Sequence, residues 1–311
     1  MKAKLLLIAV AAATTSLLFT ACQKNADDDQ NATIETEAST HSDDENFFSG
    51  ESEAALTDID GQLESTQGFT GRGEQVQSII CDATVVVDTT ANPRTITITF
   101  NGTNCLGNRT RTGVIVVSMA QGTRWRNAGA SVNVSFQNFK ITRVRDNKSV
   151  TFNGTKTYTN VSGGLLVNLP TLNQITHTVT SNNMSVKFDN GSERTWQIAK
   201  QRVFTYNNGI VISIRGTHTD GDATNIAEWG TNRFGRSFRT STREPIVIRQ
   251  DCNFRITRGW VKHLTQAFTT DVTFGLDAQG NPTSCPGTNS YYMKIVLTAA
   301  NGNTHTTILP Y

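Results

Sequence analysis

Ser131-Val132-Asn133-Val134-Ser135-Phe136-Gln137-Asn138-Phe139 alternates polar and apolar residues. Side chains of an extended chain point to opposite faces in turn. Val132, Val134 and Phe136 therefore share one face, and Asn133, Ser135 and Gln137 the other. This period of two predicts a half-buried β-strand. Thr95, Thr97 and Thr99 oppose Ile96, Ile98 and Phe100 in the same way. Threonine suits a pleated backbone and keeps the outer face polar. From about Gln75 onward such stretches recur, divided by turn residues. Asn190-Gly191, Asn208-Gly209 and Asn301-Gly302 are favoured hairpin pairs. No long helical pattern stands out, and only Ala223–Trp229 reads as a short helix. Parallel sheets need crossover helices. The expected fold is therefore all-β: an antiparallel, meander-rich sandwich or curled sheet, with a barrel as the third arrangement these strands accept.

The region before the strands is different. Lys2 and Lys4 precede Leu5–Phe19, a 15-residue stretch of Leu, Ile, Val, Ala, Phe, Thr and Ser, and Thr20-Ala21 lead into Cys22. A positive start, a short apolar run and small residues before a cysteine form a lipoprotein export signal. Residues 1–21 are then the signal peptide, and Cys22 is the acylated first residue of the mature chain. Two or three acyl chains, palmitate among them, would anchor it stably. Residues 22–74 lack apolar periodicity and predict an acidic, disordered linker. Residues 75–311 form the β domain. A faint echo between Phe152–Thr157 and Ile214–Thr219 allows two related halves, near 75–206 and 207–311.

Net charge is +2, but its distribution is lopsided. Residues 23–65 hold 13 of the 26 acids and one base, Lys24. Setting aside Lys2 and Lys4 as well, residues 66–311 keep 25 bases against 13 acids. A segment of −12 thus precedes a body of about +12, which suggests separate electrostatic tasks.

Four cysteines follow Cys22: Cys81, Cys105, Cys252 and Cys285. An even count in an exported chain suggests disulfides. A hairpin turning at Ala91–Arg94 would bring Cys81 and Cys105 together, leaving Cys252 for Cys285; four cysteines allow three pairings.

Thr95–Phe100, Asn104-Cys105, Arg109–Val117, Val134–Phe139 and Asn153–Asn160 together resemble an uncharacterised family of secreted all-β lipoproteins of Bacteroidota. The likeness spans most of 78–311 and implies an exported β domain, with no activity attached. Gln23–Asp29 resembles the acidic signals that send such lipoproteins to the cell surface. The expected location is thus the outer membrane, with display on the cell surface as the further expectation.

Catalytic patterns are missing from the sequence. His41, His177, His218, His263 and His305 form no zinc spacing, and no serine-elbow motif occurs. Asp220, Asp222 and Glu228 are the densest oxygen cluster, but they lack a calcium loop's spacing. No metal or cofactor is expected. Basic and aromatic residues interleave at Arg124-Trp125-Arg126, at Arg233, Arg236 and Arg239, and at Arg258, Trp260 and Lys262. Such a face suits an anionic glycan or another polyanion; nucleic acid is not favoured. The leading expectation is a non-enzymatic binding or structural envelope protein anchored through Cys22. An anionic-ligand module and a glycan-active hydrolase are the alternatives.

Overall fold

The computed structural model describes residues 26–70, 80–283 and 291–311. The signal peptide, Cys22 and Cys285 lie outside the described residues. The body is mostly β, and its strands form one 15-stranded antiparallel sheet. They are β1 (Ala83–Asp88), β2 (Arg94–Thr103), β3 (Arg109–Met119), β4 (Ala130–Arg143), β5 (Ser149–Asn160), β6 (Gln174–Phe188), β7 (Glu193–Tyr206) and β8 (Ile210–Gly216). There follow β9 (His218–Asp220), β10 (Ala223–Thr231), β11 (Ser237–Arg249), β12 (Arg255–Thr265), β13 (Phe268–Leu276), β14 (Tyr292–Ala299) and β15 (Thr304–Pro310). Each strand pairs with its sequence neighbour almost throughout. The exception is that β8 and β10 both lie between β7 and β11, with β9 paired to β10. The sheet is thus a meander, as the alternation predicts.

One local detail differs from the sequence reading: Ala223–Trp229 lies in strand β10, not in a helix. Strand β6 runs through a register shift between Ser181 and Met184, and β11 through bulges near Glu244. A bulge breaks the polar–apolar alternation and so imitates a turn in the sequence.

The largest difference is at the N-terminus. Residues 26–65, read as a disordered linker, form one 40-residue helix, α1 (Ala26–Ser65), followed by the short α2 (Gln67–Thr70). A helix of that length spans about 60 Å. Its sequence is poor in strong helix formers and contains Gly50 and Gly61. Packing supplies the missing stability, as it does for most helices in proteins. Phe48, Ala55, Leu56, Ile59 and Leu63 are buried in the principal core with inward residues of β2 to β7.

The sheet curls around this helix. Within four consecutive residues, Asp43 reaches Arg143 of β4, Asp44 reaches Arg233, Glu45 reaches Thr240 of β11, and Asn46 reaches Met293 of β14. A flat sheet could not touch one short helical segment from strands so far apart in its order. Glycines at bulges permit the bend. Gly113 has φ +100°, and a Cβ there would lie 2.2 Å from the Asn138 carbonyl oxygen. Gly154, at φ +115°, faces the Asn183 carbonyl at 2.4 Å. Phe48, Phe152, Trp196 and Phe238 pack together in the core, with Phe48 and Trp196 ring centroids 4.0 Å apart.

Cys81 and Cys105 are disulfide-bonded, with Cα atoms 5.3 Å apart. The β1–β2 ladder runs from Ala83↔Phe100 to Asp88↔Thr95, and the bond closes just outside it. Cys252 is buried and also disulfide-bonded.

Candidate functional site

The inner face of the sheet is basic, and α1 supplies the matching acids. Arg109 pairs with Glu51 at 2.5 Å and Arg111 with Asp58 at 2.6 Å. Arg143 pairs with Asp43 at 2.9 Å, Arg233 with Asp44 at 2.5 Å and Arg236 with Glu37 at 2.8 Å. Arg202, fully buried, holds Glu53 at 3.0 Å and Asp60 at 2.8 Å. The −12 and +12 segments are therefore interlocked. Arg233 and Arg236, expected on an anionic-ligand face, are committed to the helix instead.

The remaining members of that face are scattered. Trp125 is buried between exposed Arg124 and Arg126, its ring 5.2 Å from Tyr158 and 5.1 Å from His177. Arg239 pairs with Asp220 at 3.1 Å. Arg258, Trp260 and Lys262 do share the outer face of β12, as alternation predicts. There the Trp260 indole donates to Asp271 at 3.0 Å. The oxygen cluster weighed for calcium separates: Asp220 and Asp222 are exposed at the β9–β10 turn, whereas Glu228 is buried. Among the described residues, no group of three or more His, Cys, Asp or Glu is arranged to hold a metal.

Two buried polar clusters remain. In the first, the Tyr158 hydroxyl lies 2.6 Å from Asp60, 2.6 Å from Arg202 and 2.5 Å from His177 Nδ1. Its members contact one another closely, although Arg202 Nη2 has no hydrogen-bond partner. Beside it, Lys156 Nζ donates to Ser52 Oγ at 2.6 Å and lies 4.8 Å from the Phe136 ring centre. Burial, with Lys200 nearby, pulls the Lys156 ammonium down to about 7.

The second cluster lines a cavity of about 50 Å³ between α1 and strands β7, β8 and β10 to β13. At roughly 10–15 Å³ per water it has room for a few water-sized atoms. One wall is apolar, formed by Ile214, Ile246, Ile248, Ile256, Val261 and Phe274. The other carries Glu45, Glu53, Lys200, Glu228, Thr240 and His263. Lys200 pairs with Glu228, and with Glu53 at 3.5 Å. Trp196 donates to Glu228 at 3.1 Å. Burial raises Glu228, but Lys200 outweighs it and holds this carboxyl low.

Glu45 differs. It receives a hydrogen bond from the Thr240 hydroxyl at 3.1 Å and lies against Glu228. Burial and the Glu228 charge push it well above the usual carboxylate range. His263 Nδ1 lies 2.9 Å from the same hydroxyl. Its Nε2 has no hydrogen-bond partner. Burial lowers this imidazole to about 4.

Sequence reasoning weighed Glu228 in an oxygen cluster and found no zinc spacing around His263, and it missed Glu45, Lys200 and Thr240. A faint signal existed: His41, Glu45, Phe48, Ser52, Ala55, Ile59 and Leu63 follow a spacing of three or four. The polar members hid the stripe.

The chain matches no protein-family model, no curated protein and no solved structure.

Proposed function

We propose that this chain is a non-enzymatic binding protein of the cell envelope, tethered through acylated Cys22 to the outer membrane and displayed on the surface. One observation carries the binding reading: a buried cavity, apolar on one wall, whose other wall holds polar atoms without partners. Small-ligand sites combine these features. A glycan-active role fits the same wall less well. Glu45 and Glu228 lie against each other, whereas a retaining glycosidase keeps its carboxyls about 5 Å apart. An anionic-ligand role retains only Arg258, Trp260 and Lys262 as a contiguous surface.

Location and binding are tested separately. Replacing Cys22 with Ser should move the protein from the membrane fraction to the soluble exported fraction, and continued membrane retention would refute the anchor. Protease treatment of intact cells should digest the wild-type chain if it is displayed. For binding, small molecules extracted from the natively purified chain should vanish when Ala227→Leu narrows the cavity. An extract unchanged by that substitution would count against the cavity.

A further inference from the structure

Along α1, the carboxylates from Glu35 to Asp60 face basic side chains, with a single exception. Glu35 lies 4.0 Å from His305, and the pairs of Glu37, Asp43, Asp44, Glu51, Glu53, Asp58 and Asp60 are given above. Glu45 is hydrogen-bonded to Thr240 and lies against another carboxyl, Glu228, while the nearby Lys200 is paired with Glu228 and Glu53. It is 2% exposed, so water does not compensate. A second, independent observation is His263, 1% exposed, with its Nε2 unpartnered on the same cavity. Glu45 Oε1 and His263 Nε2 have no hydrogen-bond partner, and the Glu45–Glu228 pair lacks a second cation besides Lys200. The opposite wall is aliphatic and aromatic.

We propose that the cavity binds a small primary alkylammonium, its head between Glu45, Glu228 and His263 and its chain against the apolar wall. The site inverts the logic of the rest of the helix: elsewhere the sheet supplies the cation, and here the ligand does. Five groups face the Glu45 carboxyl: Glu53 from its own helix, Lys200 from β7, Glu228 from β10, Thr240 from β11 and His263 from β12. Charge balance fixes the stoichiometry. In this reading Glu45 holds a proton while the site is empty; an incoming R–NH3+ displaces that proton to solvent, and the carboxylate so formed pairs with the ammonium. One N–H···O contact replaces one O–H bond, no redox partner is needed, and the net charge of the site is unchanged.

The inference rests on the binding reading, and the experiment separates the two. The purified full chain is titrated at pH 7 in phosphate with n-butylammonium chloride, butan-1-ol and zinc chloride in parallel. Heat and, in weakly buffered solution, proton release are recorded. The expected result is saturable butylammonium binding with about one proton released per ligand, and butanol at least about tenfold weaker. Glu45→Gln should weaken the amine by more than about tenfold while leaving the melting temperature near wild type, since a neutral amide replaces a neutral acid. Equal binding of butanol, or amine binding without proton release, would overturn the ammonium assignment and leave a binding cavity. Glu45-dependent binding of zinc without amine binding would replace it with a metal. No saturable binding of any probe would sink both readings. The proton count needs no variant, so a misfolded Glu45→Gln would not rescue the idea.

Discussion

At the residue scale, the interior is unusual in how many charges it holds. Burying a charge costs several kcal/mol unless it is paired and hydrogen-bonded. Arg202, Lys156, Lys200, Glu53, Asp60 and Glu228 are all at least nine-tenths buried. Lys156 is the least compensated, since its short contact is to a neutral serine. Its folded-state pKa of about 7 lies below the unfolded value near 10.4. Below pH 7 the group is protonated in both states and its burial penalty is fully present. Between about 7 and 10.4 the unfolded chain binds the extra proton. Stability should therefore rise with pH in that window, by at most about 1.4 kcal/mol per unit. Denaturation midpoints at pH 7, 8 and 9 check this. Lys156→Met should flatten the slope, and a variant with the wild-type slope would show that another group is responsible.

At the element scale, the strands were legible and the helix was not, for one physical reason. A strand of this sheet, such as Ser131–Phe139, meets solvent on one side and core on the other. Its own sequence thus carries the whole signal. Helix α1 is surrounded, so its buried positions need not be apolar if the surrounding strands provide partners. Asp44, Glu45, Ser52, Glu53 and Asp60 are buried polar residues of this kind, answered by residues 98 to 195 positions away. In isolation they read as solvated. Only the equal and opposite charge counts hinted at the match. The cavity was illegible for the same reason, because Glu45, Lys200 and His263 meet only in three dimensions. Two outcomes belong at this scale. Gly50 has nothing within 4 Å of an added Cβ. Gly50→Ala should then stabilise the protein by about 0.5–1 kcal/mol through helix propensity, read as a higher urea midpoint. Deleting residues 26–65 should abolish cooperative unfolding of the sheet, because Phe48, Leu56, Ile59 and Leu63 leave its core. Adding that segment back as a peptide should restore the transition. A deleted chain that still melts cooperatively would show that the sheet stands alone.

At the scale of the whole molecule, a net charge of +2 conceals two large, opposite fields that cancel internally. A polyanion reaching the body meets an inner face already neutralised by α1. On a heparin-like column the protein should elute at low salt, and Arg258→Ala with Lys262→Ala should remove what retention there is. Elution only at high salt would mean that the outer face is a genuine anion site.

The enclosed helix also governs timing. A chain made from its N-terminus produces α1 before any strand, yet the surfaces that hold its first half appear last. Glu37 waits for Arg236, Ser42 for Thr270, and Ala38 packs in a cluster with Phe268 and Leu297. Contacts this distant in sequence slow folding, because loop closure must precede any gain from them. During that interval the strands have no centre to close upon, and their apolar faces stay open to one another. The acidic segment is suited to the wait: its charges keep it solvated and apart until the final strands arrive to receive it.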